Sequence, residues 1–594
     1  MLKKDNNIST LQVFKKILPM VIKATPFNFL LMIVLGIVGS VFMVGTTFAT
    51  EKFFNAATNL ASGESTIKVT IIAGLFLAFI FIASNITNVI INLNGNKLFN
   101  VAAGYITNFV NKKASKIEPI NFEVTETLDD INKAHQGVMG GIQLIGVLGM
   151  IITTYVPYFV FMGIYLYSLN PILIFAILCA FVPVIINEFI KVKLFANLEN
   201  ESANTRREFE YYEKCIIDKE YFKETRLLGA FSYFNKKYKK SLDILSKKIW
   251  KAEKKTNSLE LLMKCFTLVG YGIILFLLFI SLMDGKITIG AFGAVLSSVG
   301  MVFMLTEEAI CMHIGNVSRN FGAVKNLINF LDLEERGGND VELLEAPEIE
   351  LKNVSFSYPC SEKLNLDSIN LKINAKETIA IVGENGAGKS TLMRVILGLY
   401  LPTKGDVIYD NYNTKEISQK SIFSKSSAVF QKFQKYKFSL ADNISISDID
   451  RVDLNSIKEN LKEVDIDLNR ECFTDGLNTM LSREFDGIDL SGGQWQRIAI
   501  ARGLYNFNNI IVLDEPTAAI DPIEEGKIFN KFKEISKDKT AIIVTHRMGT
   551  VKIADRIVVL DDGKISEVGS HEEIINKNGK YKEMYEAQSK WYNF

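Results

Sequence analysis

Two unlike halves are predicted: a membrane all-α domain of six transmembrane helices with long cytoplasmic helical extensions, then an α/β domain built around a phosphate-binding loop. Three observations carry this prediction. Up to about residue 315 the chain contains six apolar runs of spanning length. From about residue 348 short apolar strands alternate with amphipathic helices. Between a buried strand and a helix lies Gly383-Glu384-Asn385-Gly386-Ala387-Gly388-Lys389-Ser390, which fits G-x-x-x-x-G-K-[ST] in the context that pattern requires. At 594 residues the chain exceeds one ordinary core. The expected division is 1–25 as an N-terminal segment, 26–330 as the six-helix domain, 331–347 as a linker and 348–594 as the nucleotide-binding domain.

The spans are expected near 26–48, 67–92, 141–168, 171–190, 257–283 and 287–313, because a bilayer core needs roughly 20 apolar residues in a helix. Ser168-Leu169-Asn170-Pro171 parts the third from the fourth, and proline there suits a tight turn or a helix start. Asp284-Gly285-Lys286 makes the turn between the fifth and sixth. Two long connections, near 93–140 and 191–256, hold most of the half's lysines and arginines, among them Lys112, Lys113, Lys191, Arg206, Arg207 and Lys236–Lys240. Lys3, Lys4, Lys15, Lys16 and Lys23 agree with them. The positive-inside rule then places both termini and both long connections in the cytoplasm. Charged helix formers dominate these connections, so they read as helices extended beyond the lipid, with tips near 121–132 and 215–230.

A net charge of +1 offers no support for a nucleic-acid partner. Cys179, Cys215, Cys265, Cys311, Cys360 and Cys472 are scattered without metal or redox spacing and read as reduced structural residues. No cleavage site precedes the first apolar run, so a cleaved signal peptide is not expected.

In the second half, Ile349-Glu-Leu-Lys-Asn-Val-Ser-Phe-Ser-Tyr358 alternates like a half-buried strand. Glu377-Thr-Ile-Ala-Ile-Val382 is a buried strand that runs into the glycine loop, and Thr391 continues into a helix. The glycines let backbone N–H groups turn toward phosphates at the helix N-terminus. Lys389 is expected on the β- and γ-phosphates, and the Ser390 hydroxyl on Mg²⁺. Ile510-Ile-Val-Leu513 is a second buried strand, tipped by Asp514 for the metal and Glu515 as general base or water-positioning group. Ala541-Ile-Ile-Val-Thr545 is a third, and it delivers His546, expected to sense the γ-phosphate. Leu490-Ser491-Gly492-Gly493-Gln494 precedes the Asp-Glu strand by about twenty residues.

With these motifs in place, residues 348–594 resemble the nucleotide-binding domain of an ABC transporter. The six spans before it resemble those of an ABC exporter half-transporter. The resemblance implies ATP and Mg²⁺ as ligands. It implies that Tyr358 stacks on adenine, that Gln431 joins the Mg²⁺ and water network, and that Asp521 sits across a dimer boundary. It further implies that Leu490–Gln494 caps a nucleotide held by a second subunit. Clamp and loop of one domain cannot then close on the same nucleotide, so two domains are needed. Since the catalytic elements read as intact, the expected partner is a second copy, in a bacterial-type cytoplasmic membrane and among its lipids.

Three local features are similar to bacterial exporters of lantibiotics and other modified peptides: Val429-Phe-Gln-Lys-Phe-Gln-Lys-Tyr-Lys-Phe, Gln494-Trp495-Gln496-Arg497 and Gln588-Ser-Lys-Trp591-Tyr592. Arg483-Glu-Phe-Asp-Gly-Ile-Asp489 departs from the Gly-Glu-x-Gly of many multidrug exporters, which favours the same group. Peptide export is the expectation, with drug or lipid export as the rival and an ATP-gated channel or regulator as a remote alternative. Only about 25 residues precede the first span, without cysteine or histidine, so no leader-trimming cysteine protease is expected there. Membrane half before ATPase half argues for export rather than import.

Polar residues in the spans are the last clue. Glu307 and Glu308 in the sixth span and Lys264 in the fifth share a depth. They read as a Lys264–carboxylate pair, as side chains snorkelling to the headgroups, or as an acidic patch at the mouth of an inward-facing cavity. Asn85, Asn88 and Asn92 on one face of the second span suggest interhelical hydrogen bonds. His135, His313 and His571 show no ligand spacing.

Overall fold

The computed structural model describes residues 10–309, 315–359, 361–469, 473–506, 508–516, 522–549 and 551–590. It falls into two compact units: the chain up to Ser115 with Asp129–Leu333, and Lys116–Leu128 with Glu334 onward.

The first unit is helical: α1 (Thr10–Ala24), α2 (Pro26–Ala61), α3 (Ile67–Ala114), α4 (Thr125–Met150), α5 (Val156–Leu169), α6 (Pro171–Ile217), α7 (Phe222–Leu227), α8 (Phe231–Met283), α9 (Ile289–Glu307) and α10 (Gly315–Leu331). Among the described residues six segments are long and apolar enough to cross a membrane: Pro26–Ala61, Ile67–Ala114, Asp130–Leu169, Pro171–Glu188, Phe231–Met283 and Ile289–Glu307. They expose large apolar side chains such as Leu75 (66%), Phe79 (65%) and Phe175 (70%). A water-facing surface would not carry so many; a lipid-facing one does.

The turns follow the sequence. Asn170 caps α6, its side chain accepting from the Ile172 N–H, with Pro171 at the first helical position. After α8, Gly285 has φ +68° and the Lys286 N–H returns to the Ser281 carbonyl at 2.9 Å, closing the helix end. Thr288 then caps α9. The third span departs from one unbroken helix: Ile151–Tyr155 is a π-helical turn. Pro157 follows it, and a proline cannot donate to the preceding turn, so the ladder widens there.

Both long connections are helical as expected, but the first tip lies earlier than 121–132. Pro119–Glu123 is a 3-10 turn and α4 is already under way from Thr125. The second tip comprises 218–230 with the short α7. The asparagine expectation is corrected. Asn85 donates to Phe81 O and Asn92 to Asn88, both within α3 and exposed. The interhelical bonds are made instead by Asn94, which exchanges two bonds with Asn28 at 2.7 and 2.8 Å, and by Asn55, which accepts from Gly290 N at 2.9 Å. Of the cysteines, Cys179, Cys215 and Cys265 are free thiols; the other three lie outside the described residues, as does His313.

The second unit holds two sheets. The strands are β1 (Ile349–Phe356), β2 (Leu366–Ile373), β3 (Thr378–Gly383), β4 (Lys404–Tyr409), β5 (Tyr412–Asn413), β6 (Ser426–Val429), β7 (Ile510–Asp514), β8 (Thr540–Val544), β9 (Arg556–Asp561) and β10 (Lys564–Gly569). An antiparallel sheet has the order β2-β1-β4-β5, and a six-stranded mixed sheet has the order β10-β9-β3-β8-β7-β6. In the larger sheet β9, β3, β8, β7 and β6 run parallel and β10 antiparallel. The helices are α11 (Lys389–Ile396), α12 (Gln419–Phe423), α13 (Leu440–Ser445), α14 (Leu454–Glu463), α15 (Gly492–Tyr505), α16 (Pro522–Ile535), α17 (His571–Ile575) and α18 (Lys580–Ser589). β3, β7 and β8 are buried along their whole length, the mark of parallel strands covered on both faces. One core joins α11 to both sheets, through Leu392, Met393, Ile396, Ile349 and Ile381. Another joins α13, α14 and α15 through Ile444, Leu461 and Ile498.

Gly290 tests the helix packing of the first unit. A Cβ there would lie 2.3 Å from Asn55 Oδ1 and 2.6 Å from the Glu51 carbonyl oxygen, whereas one at Gly272 would meet nothing within 4 Å. Gly290→Ala is expected to lower the thermal midpoint of detergent-solubilised protein, overpacking costing about 1–3 kcal/mol, and Gly272→Ala to leave it unchanged or raised.

Candidate functional site

β3, β8, β7 and β6 are neighbours and parallel, so their C-terminal ends share one edge of the sheet. An open parallel sheet presents its site at that edge. Here the residues after the four strands are, in spatial order, the glycine loop, His546, Asp514 with Glu515, and Gln431.

The loop turns sharply at Gly388, where φ is +99° and a Cβ would stand 2.6 Å from the Asn365 carbonyl oxygen; only glycine fits. α11 starts at once, with Lys389 and Ser390 in its first turn and Thr391 buried behind them. Lys389 is 7% exposed, and its ammonium donates to the carbonyls of Gly383 and Glu384, both at 2.9 Å. Burial holds it below the ordinary lysine range, against the pull of Glu515 and Asp514. Glu384, on the loop rim, is ion-paired at 2.8 Å with Lys580, which keeps its carboxyl below the usual range. Asn385 and Gly386 complete the outer turn, and the Ala387 carbonyl accepts from Gly563 N.

Asp514 is 3% exposed, and burial pushes its carboxyl above the ordinary aspartate range. Ser390 Oγ donates to it at 3.3 Å. A buried carboxylate beside a hydroxyl at a phosphate loop is a hard-oxygen donor pair of the kind Mg²⁺ takes, so the residues fit that ion.

Glu515 is the node of the edge. It is a non-glycine residue at φ +46°, a strained conformation held by its N–H to the Val544 carbonyl at 3.0 Å. Its carboxylate is gripped on both oxygens. Gln431 Nε2 donates to Oε2 at 2.6 Å, and His546 Nδ1 meets Oε1 at 2.9 Å. Three separate strand ends thus converge on one side chain.

Tyr358 is half-buried, its hydroxyl 3.2 Å from Thr391 Oγ1 and accepting from Arg394 at 3.0 Å. Ser491 caps α15 in a reciprocal box with Gln494: Ser491 Oγ accepts from Gln494 N at 3.2 Å and Gln494 Oε1 from Ser491 N at 2.9 Å. The hydroxyl proton of Ser491 and the first N–H groups of Gly492 and Gly493 therefore remain as donors at a helix N-terminus. Leu490 packs against the α13–α15 core, away from the core that carries the glycine loop. Asp521 lies outside the described residues.

In the first unit, Glu307 is paired with Lys264 at 2.9 Å. Lys264 is also 3.3 Å from Glu260, which lies 3.2 Å from Lys191. Lys191, Glu260, Lys264 and Glu307 form an alternating chain across α6, α8 and α9 that sums to zero charge. Glu308, the next residue in sequence, is half-buried.

A family model described as ABC transporter matches residues 366–518. The subtilin transport ATP-binding protein SpaT of Bacillus subtilis is 30% identical over 578 residues, 94% of this chain and 92% of that protein. The chain belongs to the ABC transporter family. The nisin transport ATP-binding protein NisT of Lactococcus lactis subsp. lactis is 30% identical over 70% of each chain. An ATP-dependent lipid A-core flippase of Alcanivorax borkumensis is 32% identical over 54% of this chain and 55% of its own. Among solved structures, a bacterial Atm1-family ABC exporter with ATP bound superposes with a TM-score of 0.75 at 19% identity, covering 96% of this chain and 98% of that one. That likeness is one of fold, and it is the exporter fold: six apolar helices, then an ATP-binding domain. This ABC exporter is a multi-pass membrane protein.

Sequence reading of this ABC transporter missed the roles of several residues around the site. Gln496 is buried and donates to the Pro516 carbonyl, tying α15 to the residue after Glu515. Arg394 and Tyr400 frame Tyr358. Gln588, noticed only as part of a closing segment, bonds to the backbone at His546. Its signal was present: Tyr581, Met584, Tyr585 and Gln588 fall at i, i+3, i+4 and i+7, so a polar residue continues an apolar face.

Asp514 carries a prediction with a definite sign. A carboxyl whose folded pKa is raised favours its protonated form in the fold. Stability is then highest below the unfolded value and falls as pH rises through the interval. At neutral pH the ionised group is a net cost to the nucleotide-free protein. Asp514→Asn is therefore expected to raise the thermal midpoint at pH 7 without nucleotide, and to abolish the extra stabilisation that ATP with Mg²⁺ gives over ATP with EDTA.

Proposed function

We propose that this chain is one half of a homodimeric exporter in the cytoplasmic membrane, that it hydrolyses ATP with Mg²⁺, and that its cargo is a modified peptide. The observation that carries the hydrolytic part is Glu515 held between Gln431 and His546. A carboxylate fixed on both oxygens beside a phosphate loop is oriented to polarise an attacking water and accept its proton. His546 engages Glu515 through Nδ1, leaving Nε2 as the nitrogen for the γ-phosphate. Lys389 exchanges its loop carbonyls for the β- and γ-phosphates, and Gly383–Thr391 cradle them with backbone N–H groups. Tyr358 takes the adenine face. Ser390, Asp514 and, through water, Gln431 would hold Mg²⁺, which when bound offsets the charge gathering on the phosphates.

Two features support a second copy. Leu490–Gln494 present donors at the start of α15, on a different core from the loop of the same chain, and so serve a nucleotide held by the partner. The second connection, around α7, exposes Leu227 (87%) and Leu228 (74%), apolar tips suited to the ATPase domain of another copy. Both long connections and both termini face the cytoplasm on the charge argument. Glu307 and Glu308 then lie toward the cytoplasmic end of the sixth span, with Glu307 neutralised by Lys264, so they brace helices at the mouth of the pathway.

Peptide cargo is favoured over lipid by coverage. The subtilin and nisin transporters match 94% and 70% of this chain, whereas the lipid A-core flippase matches 54%.

Glu515→Gln is expected to lower the ATPase kcat by about 10²-fold or more while ATP still binds, and to hold a dimer by mass measurement of solubilised protein in ATP. Undiminished turnover, or monomer alone under those conditions, would falsify the reading. In proteoliposomes, a lanthionine-containing peptide is expected to stimulate hydrolysis and to be taken up by inside-out vesicles. Stimulation by lipid A or dyes with none by peptide would transfer the cargo to the rival class.

A further inference from the structure

His546 is held from behind as well as from in front. On α18, Tyr581, Met584 and Tyr585 pack into a small core with Ala380 and Val382 of β3, Val559 of β9, and Met548. Tyr581 is fully buried, and its hydroxyl lies 2.7 Å from His571 Nδ1. Gln588 comes next on that face, where the pattern calls for an apolar residue. Its carboxamide makes two bonds at once: Nε2 donates to the His546 carbonyl, and Oε1 accepts from the Met548 N–H at 2.9 Å. A carboxamide carries one donor edge and one acceptor side by side, so it matches a backbone C=O and N–H two residues apart as a neighbouring strand would. Between them, Arg547 N donates to Thr545 Oγ1 at 3.0 Å. The backbone that carries the imidazole is thereby fixed from Thr545 to Met548. At the other end of the same helix Lys580 holds Glu384 of the glycine loop. One helix therefore grips two of the four loops that form the nucleotide edge.

We propose that Gln588 is a positioning residue for ATP hydrolysis: its two-point hold on the backbone at His546 and Met548 aims the imidazole at Glu515 and the γ-phosphate. This rests on the reading of His546 as the γ-phosphate contact. Gln588 itself touches no phosphate, so its loss acts on turnover rather than on nucleotide affinity. An alternative stabilising role, with no bearing on chemistry, would lower the melting temperature and scale all parameters together.

The test is steady-state and single-turnover ATP hydrolysis by full-length protein in nanodiscs, with thermal midpoints alongside. Gln588→Ala is expected to lower kcat between about 10- and 100-fold, the scale of an ångström-sized misplacement, with KM for ATP changed less than about twofold. Gln588→Glu, isosteric but unable to donate to the His546 carbonyl, is expected to fall as far. In the His546→Ala background, adding Gln588→Ala is expected to cost nothing further, since the two act through one group. Wild-type kcat in Gln588→Ala and Gln588→Glu while His546→Ala is inactive would overturn the proposal and leave the histidine reading standing. Full hydrolysis by His546→Ala would overturn the histidine reading itself. A raised KM, a lowered midpoint that accounts for the loss, or multiplying effects in the double variant would each reject positioning.

Discussion

The carboxylate of Glu515, bonded to Gln431 on one oxygen and His546 on the other, is the contact on which the rest of the ATP site depends. Hydrogen bonds to a carboxylate are worth about 1.5–3 kcal/mol each, so the two partners fix the side chain, while the N–H bond to the Val544 carbonyl holds the backbone at φ +46°. Those partners are available only because of strand order. β6, β7 and β8 are adjacent and parallel, and their ends fall at one level. Were β7 antiparallel to its neighbours, Asp514 and Glu515 would emerge at the opposite edge, and no local change could return them.

Much of this was legible in the sequence, because the signals are local. Glycine spacing, a buried strand before Lys389 and another before Asp514 each specify a strand end and a residue type without knowledge of the fold. Six apolar runs of spanning length are equally local. What sequence could not supply is which ends become neighbours: Gln431 lies 84 positions from Glu515, and their bond exists only through the β6–β7 pairing. The supporting residues were hidden for a different reason. Gln496 and Gln588 bond to backbone atoms, and backbone carries no sequence signature. The asparagines of α3 show the limit of periodicity, since a shared face does not say whether that face meets helix or lipid. Asn94, two residues beyond the stripe, is the one that found a partner across helices.

The membrane unit solves a different problem. Lipid offers no hydrophobic drive between helices, so close approach and interhelical polar bonds must hold them. Small side chains allow the approach: a Cβ at Gly270 would stand 2.8 Å from Ala180 Cβ, and Gly290 takes its N–H to Asn55. Thr47 and Ser298 meet at 2.7 Å between α2 and α9. The Lys191–Glu260–Lys264–Glu307 chain extends the principle to charges. Exposed ion pairs contribute little singly, near 0–1 kcal/mol. Four alternating groups across three helices chiefly fix which helices are neighbours, and they cancel the field that two unpaired glutamates would create.

The segment Lys116–Leu128 belongs structurally to the ATPase unit, although α3 before it and the rest of α4 after it belong to the membrane unit. Ile120 packs against the core behind the glycine loop, and the Lys116 carbonyl accepts from Arg336 N at 2.9 Å. Glu123 accepts the Tyr400 hydroxyl proton, while Arg394 lies at 4.0 Å from it. The first contact outweighs the second, because a hydrogen bond to a carboxylate survives salt and a half-exposed pair at that distance does not. Arg394 spends its directed bond on Tyr358 instead. The result is a continuous chain from Glu123 through Tyr400 and Arg394 to Tyr358 and Thr391, the residues proposed at the adenine and beside the phosphates. Tyr358 cannot turn to meet a base without disturbing Arg394, and Arg394 stacks over Tyr400 at 5.7 Å. The loop that carries Glu123 is covalently continuous with α3 and α4.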